Sequence, residues 1–163
     1  MNISENQKRD RVFVDKSQIE QYREMAVERR DTVERKDRES VSSPSLAFRS
    51  LKDSFVMAAC IGFRLGKKKP LGNEPKELIW ISYLKDPDWA ILRAIAVCDK
   101  DDLNILANND DVLSLAEEYA NVGFAQLSDA VLSGGPQVEN LVNYILENYD
   151  IPQGSNHTNV TDD

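Results

Sequence analysis

A chain of 163 residues with 41% hydrophobic and 29% charged content suits one globular domain plus appendages. It is long enough to bury roughly two-thirds of its unfolded surface without a covalent staple. A formal net charge of −8 argues against general nucleic-acid affinity, and two cysteines with no CxxC pair signal neither zinc nor a redox dithiol.

The charge is unevenly spread. Residues 1–100 hold all 20 Lys and Arg against 16 acids, whereas residues 101–163 hold 12 acids and no Lys or Arg. One face of such a molecule repels nucleic acid while another can tolerate it. The opening MNISENQKRDR lacks the apolar stretch of a secretory signal. The longest apolar run, Phe55–Ile61, falls far short of the ~20 residues that cross a bilayer, so a cytoplasmic location is expected.

Val12-Phe13-Val14 reads as a short strand or an apolar anchor. Between Asp15 and Glu39, 15 of 25 residues are ionisable, with Ile19, Tyr22, Ala26 and Val33 forming a thin apolar seam at helical spacing. Asp31–Arg35 and Glu34–Arg38 support a helix there, while Glu20–Glu24 and Glu24–Glu28 oppose it. Ser40–Ser45 is a linker by composition.

Ser50 is placed to cap a helix whose first turn carries Asp53 and whose body, Phe55 to Ile61, is apolar nearly all round. Ala58, Ala59 and Gly62 would allow close approach by a neighbouring backbone, and Gly66 is the expected C-terminal cap. Leu78–Leu84 is either a strand or a buried connector. Asp86 and Pro87 open another helix, apolar nearly all round through Val97, which reads as the second core helix. Cys60 and Cys98, inside these apolar runs, read as reduced core residues. Asp101–Leu106 forms a helical turn. A long helix follows from Val112 through Leu132, Ser133-Gly-Gly-Pro136 breaks it, and Val138–Leu146 marks the last.

The expected fold is mainly α: a compact orthogonal bundle of four or five helices with a charged N-terminal helical arm. Residues 1–45 would be the arm and Ser-rich linker, 46–150 the helical core, and 151–163 a disordered polar tail.

The sole histidine, His157, lies in that tail, where no rigid Ser–His or Cys–His pair can form. Asp101, Asp102, Asp110, Asp111, Glu117 and Glu118 are the candidate carboxylate ligands. Acids at a helix start are also what ordinary capping produces, and no metal or other cofactor is expected. A PD-(D/E)xK nuclease fails on order. Pro87-Asp88 supplies an acid but no Lys follows residue 100, and Glu74-Pro-Lys76 precedes it. The Ser133–Pro136 turn lacks the Lys-Ser/Thr of a nucleotide loop and reads as an inter-helix turn.

The best functional candidate is the cationic cluster Arg64, Lys67, Lys68 and Lys69. Arg64 and Lys67 can serve as cap charges at a helix C-terminus. Pro70 holds Lys68 and Lys69 in an extended or turning loop. Together they can meet three or four phosphates weakly and without sequence preference, or form a solvated turn. Trp80, Tyr83 and Trp89 flank the loop in sequence. Aromatics interleaved with cations can stack single-stranded bases, but Trp in apolar stretches ordinarily packs the core, as expected here.

Leu51-Lys-Asp-Ser-Phe, Met57-Ala-Ala-Cys-Ile-Gly62, Gly66 with its cations, and Pro70-Leu71 resemble the opening of a small bacterial family. That family accompanies DNA phosphorothioation (Dnd) gene clusters and is called Dnd system-associated protein four. Ile79-Trp80, Ala94-Ile-Ala96 and Glu117-Glu-Tyr-Ala-Asn-Val-Gly123 continue the likeness, which covers roughly Leu46 to Tyr149 and leaves Asp15–Glu39 outside. The resemblance carries no catalytic residues across. It implies a non-enzymatic accessory or adaptor protein of a phosphorothioation-linked modification–restriction system. Its partners would be other proteins of that cluster, with the DNA backbone a further contact. The alternative is a DNA-binding regulator of such a cluster, which needs a recognition helix with exposed cations.

Overall fold

The computed structural model describes residues 9–27 and 46–149. The linker, Val33, the pairs Asp31–Arg35 and Glu34–Arg38, the boundary at residue 45, and the tail with His157 all lie outside the described residues. The described chain is mainly helical. Strand β1 (Arg11–Val14) and helix α1 (Ile19–Met25) come first, followed by α2 (Leu51–Leu65), β2 (Lys76–Trp80) and α3 (Asp86–Lys100). A 3-10 turn at Leu103–Ala107, then α4 (Asn109–Val131) and α5 (Gln137–Asn148), complete it.

Local sequence sets these ends. The Ser50 hydroxyl accepts from the Asp53 N–H at 3.2 Å, opening α2 as expected. Gly66 closes it at φ 64°, its N–H reaching the Phe63 carbonyl at 2.9 Å while the Lys67 N–H reaches Gly62 at 3.2 Å. The Asn108 side chain accepts from the Asp110 N–H at 3.0 Å and starts α4, whose first turn carries Asp110 and Asp111. α3 begins one residue earlier than Pro87 suggests, with the Asp88 carboxylate accepting from the Lys85 N–H at 2.8 Å.

The core is built on the crossing of α2 and α4. Ala58, Ala59, Ile61 and Gly62 of α2 meet Ala116, Tyr119, Ala120 and Gly123 of α4, all buried. A Cβ on Gly62 would fall on the Tyr119 carbonyl, and one on Gly123 would fall on the Ala58 carbonyl. The two backbones therefore touch only because both positions lack a side chain.

β1 and β2 pair antiparallel, with Val12 opposite Ile79 and Val14 opposite Lys76, and an irregularity between Val12 and Phe13. Both expected apolar stretches thus form strands, and Leu78–Leu84 continues into a 3-10 turn at Ile81–Tyr83. Val12 and Val14 point into the core, as do Tyr22 and Met25 of α1. Tyr22 stacks on Phe124 with ring centroids 3.6 Å apart, so the apolar seam of the charged segment is docked against α4. Ala26 and Phe48 form a parallel bridge, with the Phe48 N–H donating to Met25 at 3.0 Å.

One expectation is overturned. α3 is not a second core helix: it buries only Leu92, Ile95 and Ala96, while Ile91, Ala94 and Cys98 are exposed. Cys98 is accordingly a surface thiol, and Cys60 is half-buried. The second core helix is α4, with 13 buried positions.

Candidate nucleic-acid interface

The chain leaves Gly66 and runs along α4 as an extended segment fixed through its backbone. The Lys69 N–H donates to the Glu118 carbonyl at 3.0 Å. The Asn121 side chain donates to the carbonyls of Lys69 and Pro70 at 3.2 and 3.1 Å. The Gly72 N–H then donates to the Asp15 carboxylate at 3.1 Å. A loop tied at so many points keeps its shape whichever way its side chains turn.

The four candidate cations divide. Lys68 is committed to the molecule: its ammonium meets both carboxylate oxygens of Asp99 at 2.9 Å, and Tyr119 donates to the same carboxylate at 2.5 Å. Burial pushes the Asp99 carboxyl up, but Tyr119, Lys68 and Lys100 outweigh it and hold the group below its ordinary 3.8. Burial and this same carboxylate push Tyr119 up to about 12. Arg64 lies over the Tyr149 ring at 4.0 Å and joins the end of α2 to the end of α5. Lys67 and Lys69 are exposed and, among the described residues, take part in no ion pair. Lys69 stands close enough to Asp15 to help hold that carboxyl below its ordinary value, after the hydrogen bonds from Ser17.

The candidate carboxylates also separate. Glu117 is buried, ion-paired with Arg9, and accepts from the Phe13 N–H at 2.6 Å. Burial raises its carboxyl to about 7 against the pull of Arg9 and Phe13. It anchors β1 to α4. Asp111 accepts from Asn108 at 3.0 Å and Asp102 caps the 3-10 turn through the Asn104 N–H at 2.9 Å. Among the described residues, no three His, Cys, Asp or Glu are grouped to hold a metal ion.

The Ser133–Pro136 turn joins two helices, as expected. Gly134 and Gly135 adopt φ 107° and 79°, and Asn140 donates to the Val131 and Gly134 carbonyls at 3.0 and 2.9 Å.

The aromatic expectation is partly overturned. Trp89 packs against the core, but Trp80 and Tyr83 are 44% and 48% exposed. Trp80 ends β2 on its open face, where its cross-strand partner Arg11 lays a guanidinium over the indole. Sequence reasoning gave Arg11 and Lys85 no role here; the pairing of β1 with β2 brings Arg11 to the ring across 69 positions, which no local pattern signals.

A family model described as DNA sulphur modification system-associated protein 4 matches residues 26–162. No curated protein and no solved structure matches the chain. The family pattern starts ahead of the stretch carrying the sequence resemblance, so the charged segment falls within it from residue 26 onward. Among the described residues, no helix is long and apolar enough to cross a membrane.

Proposed function

We propose, since the chain belongs to the DNA sulphur modification system-associated protein 4 family, that it is a non-enzymatic adaptor of a bacterial DNA phosphorothioation-linked modification–restriction system. It acts in defence against foreign DNA, joins other proteins of its gene cluster, and touches the DNA backbone through the loop after α2. The observation that carries the backbone contact is the clamped path of Lys69–Pro70 along α4, which presents Lys67 and Lys69 outward from a fixed main chain. Lys67 and Lys69, which take part in no ion pair among the described residues, give an attachment that is weak, sequence-blind and salt-sensitive, with log affinity falling by roughly 2 per decade of salt. Arg64 and Lys68 add less, since one lies over Tyr149 and the other is paired with Asp99.

The non-enzymatic reading is supported by the work three of the candidate carboxylates already do: Glu117 anchors a strand, Asp102 caps a turn, and Asp111 accepts from Asn108. The regulator reading gains little from the exposure of α3, because Arg93 is the one cation between that helix's first and last turns and it lies 5.1 Å from Trp89.

The test is retention on duplex DNA at low salt together with co-purification of the cluster's proteins. The double variant K67E/K69E is expected to weaken retention at least tenfold while remaining folded. Unchanged retention overturns the backbone contact, and failure to co-purify any cluster protein overturns the adaptor role.

A further inference from the structure

The sheet, the turn after β2 and the N-terminal end of α2 enclose a groove of about 480 Å³. Trp80 and Tyr83 line it, each about half exposed, in a molecule whose other large aromatics are mostly turned inward. Among the described residues, Arg11, Lys52 and Lys85 line it against Glu77 as the single acid, in a chain of formal charge −8. Leu51 and Ile79 supply apolar surface.

We propose that this groove binds an unpaired nucleobase with its phosphate, as presented by single-stranded DNA or a free nucleotide. The indole is held in place before any ligand arrives. Trp80 sits opposite Arg11 in the ladder, the guanidinium lies over the centre of one face of the ring, and Glu77 fixes that guanidinium at 3.1 Å. A ring so oriented loses little freedom on stacking. Tyr83 follows on the 3-10 turn three positions on and offers a second flat surface to the same groove. Base–aromatic stacking tolerates any base, and cations beside it meet the phosphate. Lys85 is the cation best placed for that contact, since it is exposed and, among the described residues, its ammonium meets only the Ser82 carbonyl, at 3.3 Å. Lys52 contributes less, being paired with Asp88 at 2.9 Å and Asp53 at 3.3 Å.

The groove and the cationic loop lie at opposite ends of α2, whose 15 residues span about 22 Å. The proposal therefore goes beyond the backbone contact of the loop and stands or falls separately from it.

The test uses the full chain and a labelled oligothymidine strand, followed by fluorescence anisotropy at low salt. Trp80→Ala and Tyr83→Ala are each expected to weaken binding about tenfold. Both residues are substantially exposed, so each variant should fold, and circular dichroism is the control for that. Lys85→Ala should reduce the salt slope by about 0.7. An abasic strand of equal length should bind at least tenfold more weakly, while K67E/K69E changes the strand's affinity less than Trp80→Ala does. Thymidine monophosphate competing as well as the strand assigns the groove to a free nucleotide; a tenfold advantage for the strand assigns it to single-stranded DNA. Absence of binding by the unaltered chain overturns the proposal. So does an abasic strand that binds equally well, or a folded Trp80→Ala chain with unchanged affinity.

Discussion

α2 and α3 are both 15 residues long and both carry apolar runs through their middle, yet eight positions of α2 are buried and three of α3. The difference lies in what each can approach. Gly62 on α2 meets Gly123 on α4 at a crossing where backbone touches backbone, and the alanines around them bring the flanking side chains into contact. α3 has no glycine and rests on the core through Leu92, Ile95 and Ala96, leaving Ile91 and Ala94 to solvent. Apolar content makes burial favourable, but the closeness of the partner decides how much is buried.

Filling the crossing should break this contrast most sharply. Gly123→Val places a side chain on the Ala58 carbonyl and is expected to cost at least about 4 kcal/mol, read as loss of cooperative unfolding by circular dichroism.

The other anchor on α4 is ionic. Glu117→Ala leaves Arg9, whose side chain is 16% exposed, without its carboxylate and the Phe13 N–H without its acceptor, and should cost about 3 kcal/mol by urea denaturation. The same carboxyl sets a pH signature. Its folded value of about 7 lies above its ordinary 4.5, so the folded chain holds this proton more tightly than the unfolded one. The contribution of Glu117 to stability is therefore greatest below the ordinary value and declines as pH rises from about 4.5 to 7. Glu117→Gln should flatten the slope of unfolding free energy against pH across that window.

A smaller effect is expected where α3 meets the loop. Lys68→Glu sets a second carboxylate against Asp99 and should cost about 1 kcal/mol at neutral pH. Asp99 is held below its ordinary 3.8, so its favourable interaction is present above that value and fades as pH falls through the folded one. The penalty of Lys68→Glu should shrink in acid accordingly. Smallest of all, Ile91→Ser on the open face of α3 should change stability by no more than about 0.5 kcal/mol, sharpening the contrast with Gly123.

Features fixed by neighbours in sequence were legible. Ser50 and Gly66 bound α2 as read, and Ile19 and Tyr22 of the apolar seam lie on the face by which α1 docks, while Ala26 has left the helix and bridges Phe48. The depth of α3 was not, because an apolar helix carries no record of which faces find partners. Nor was the role of Glu117, which looked like one of several acids near a helix start and is tied to Arg9 across 108 positions. The sequence grouped four cations that the fold divides, since Asp99 and Tyr149 reach Lys68 and Arg64 from later parts of the chain. Trp80 was read as core because its run is apolar; its place at the outer end of β2 follows from pairing with β1.

The parallel bridge between Ala26 and Phe48 joins two stretches that run the same way, an arrangement no hairpin produces. The Phe48 N–H donates to Met25 at 3.0 Å and the Val27 N–H to Phe48 at 3.3 Å, so the end of α1 is tied beside the start of α2 by main chain alone, whatever side chains stand there.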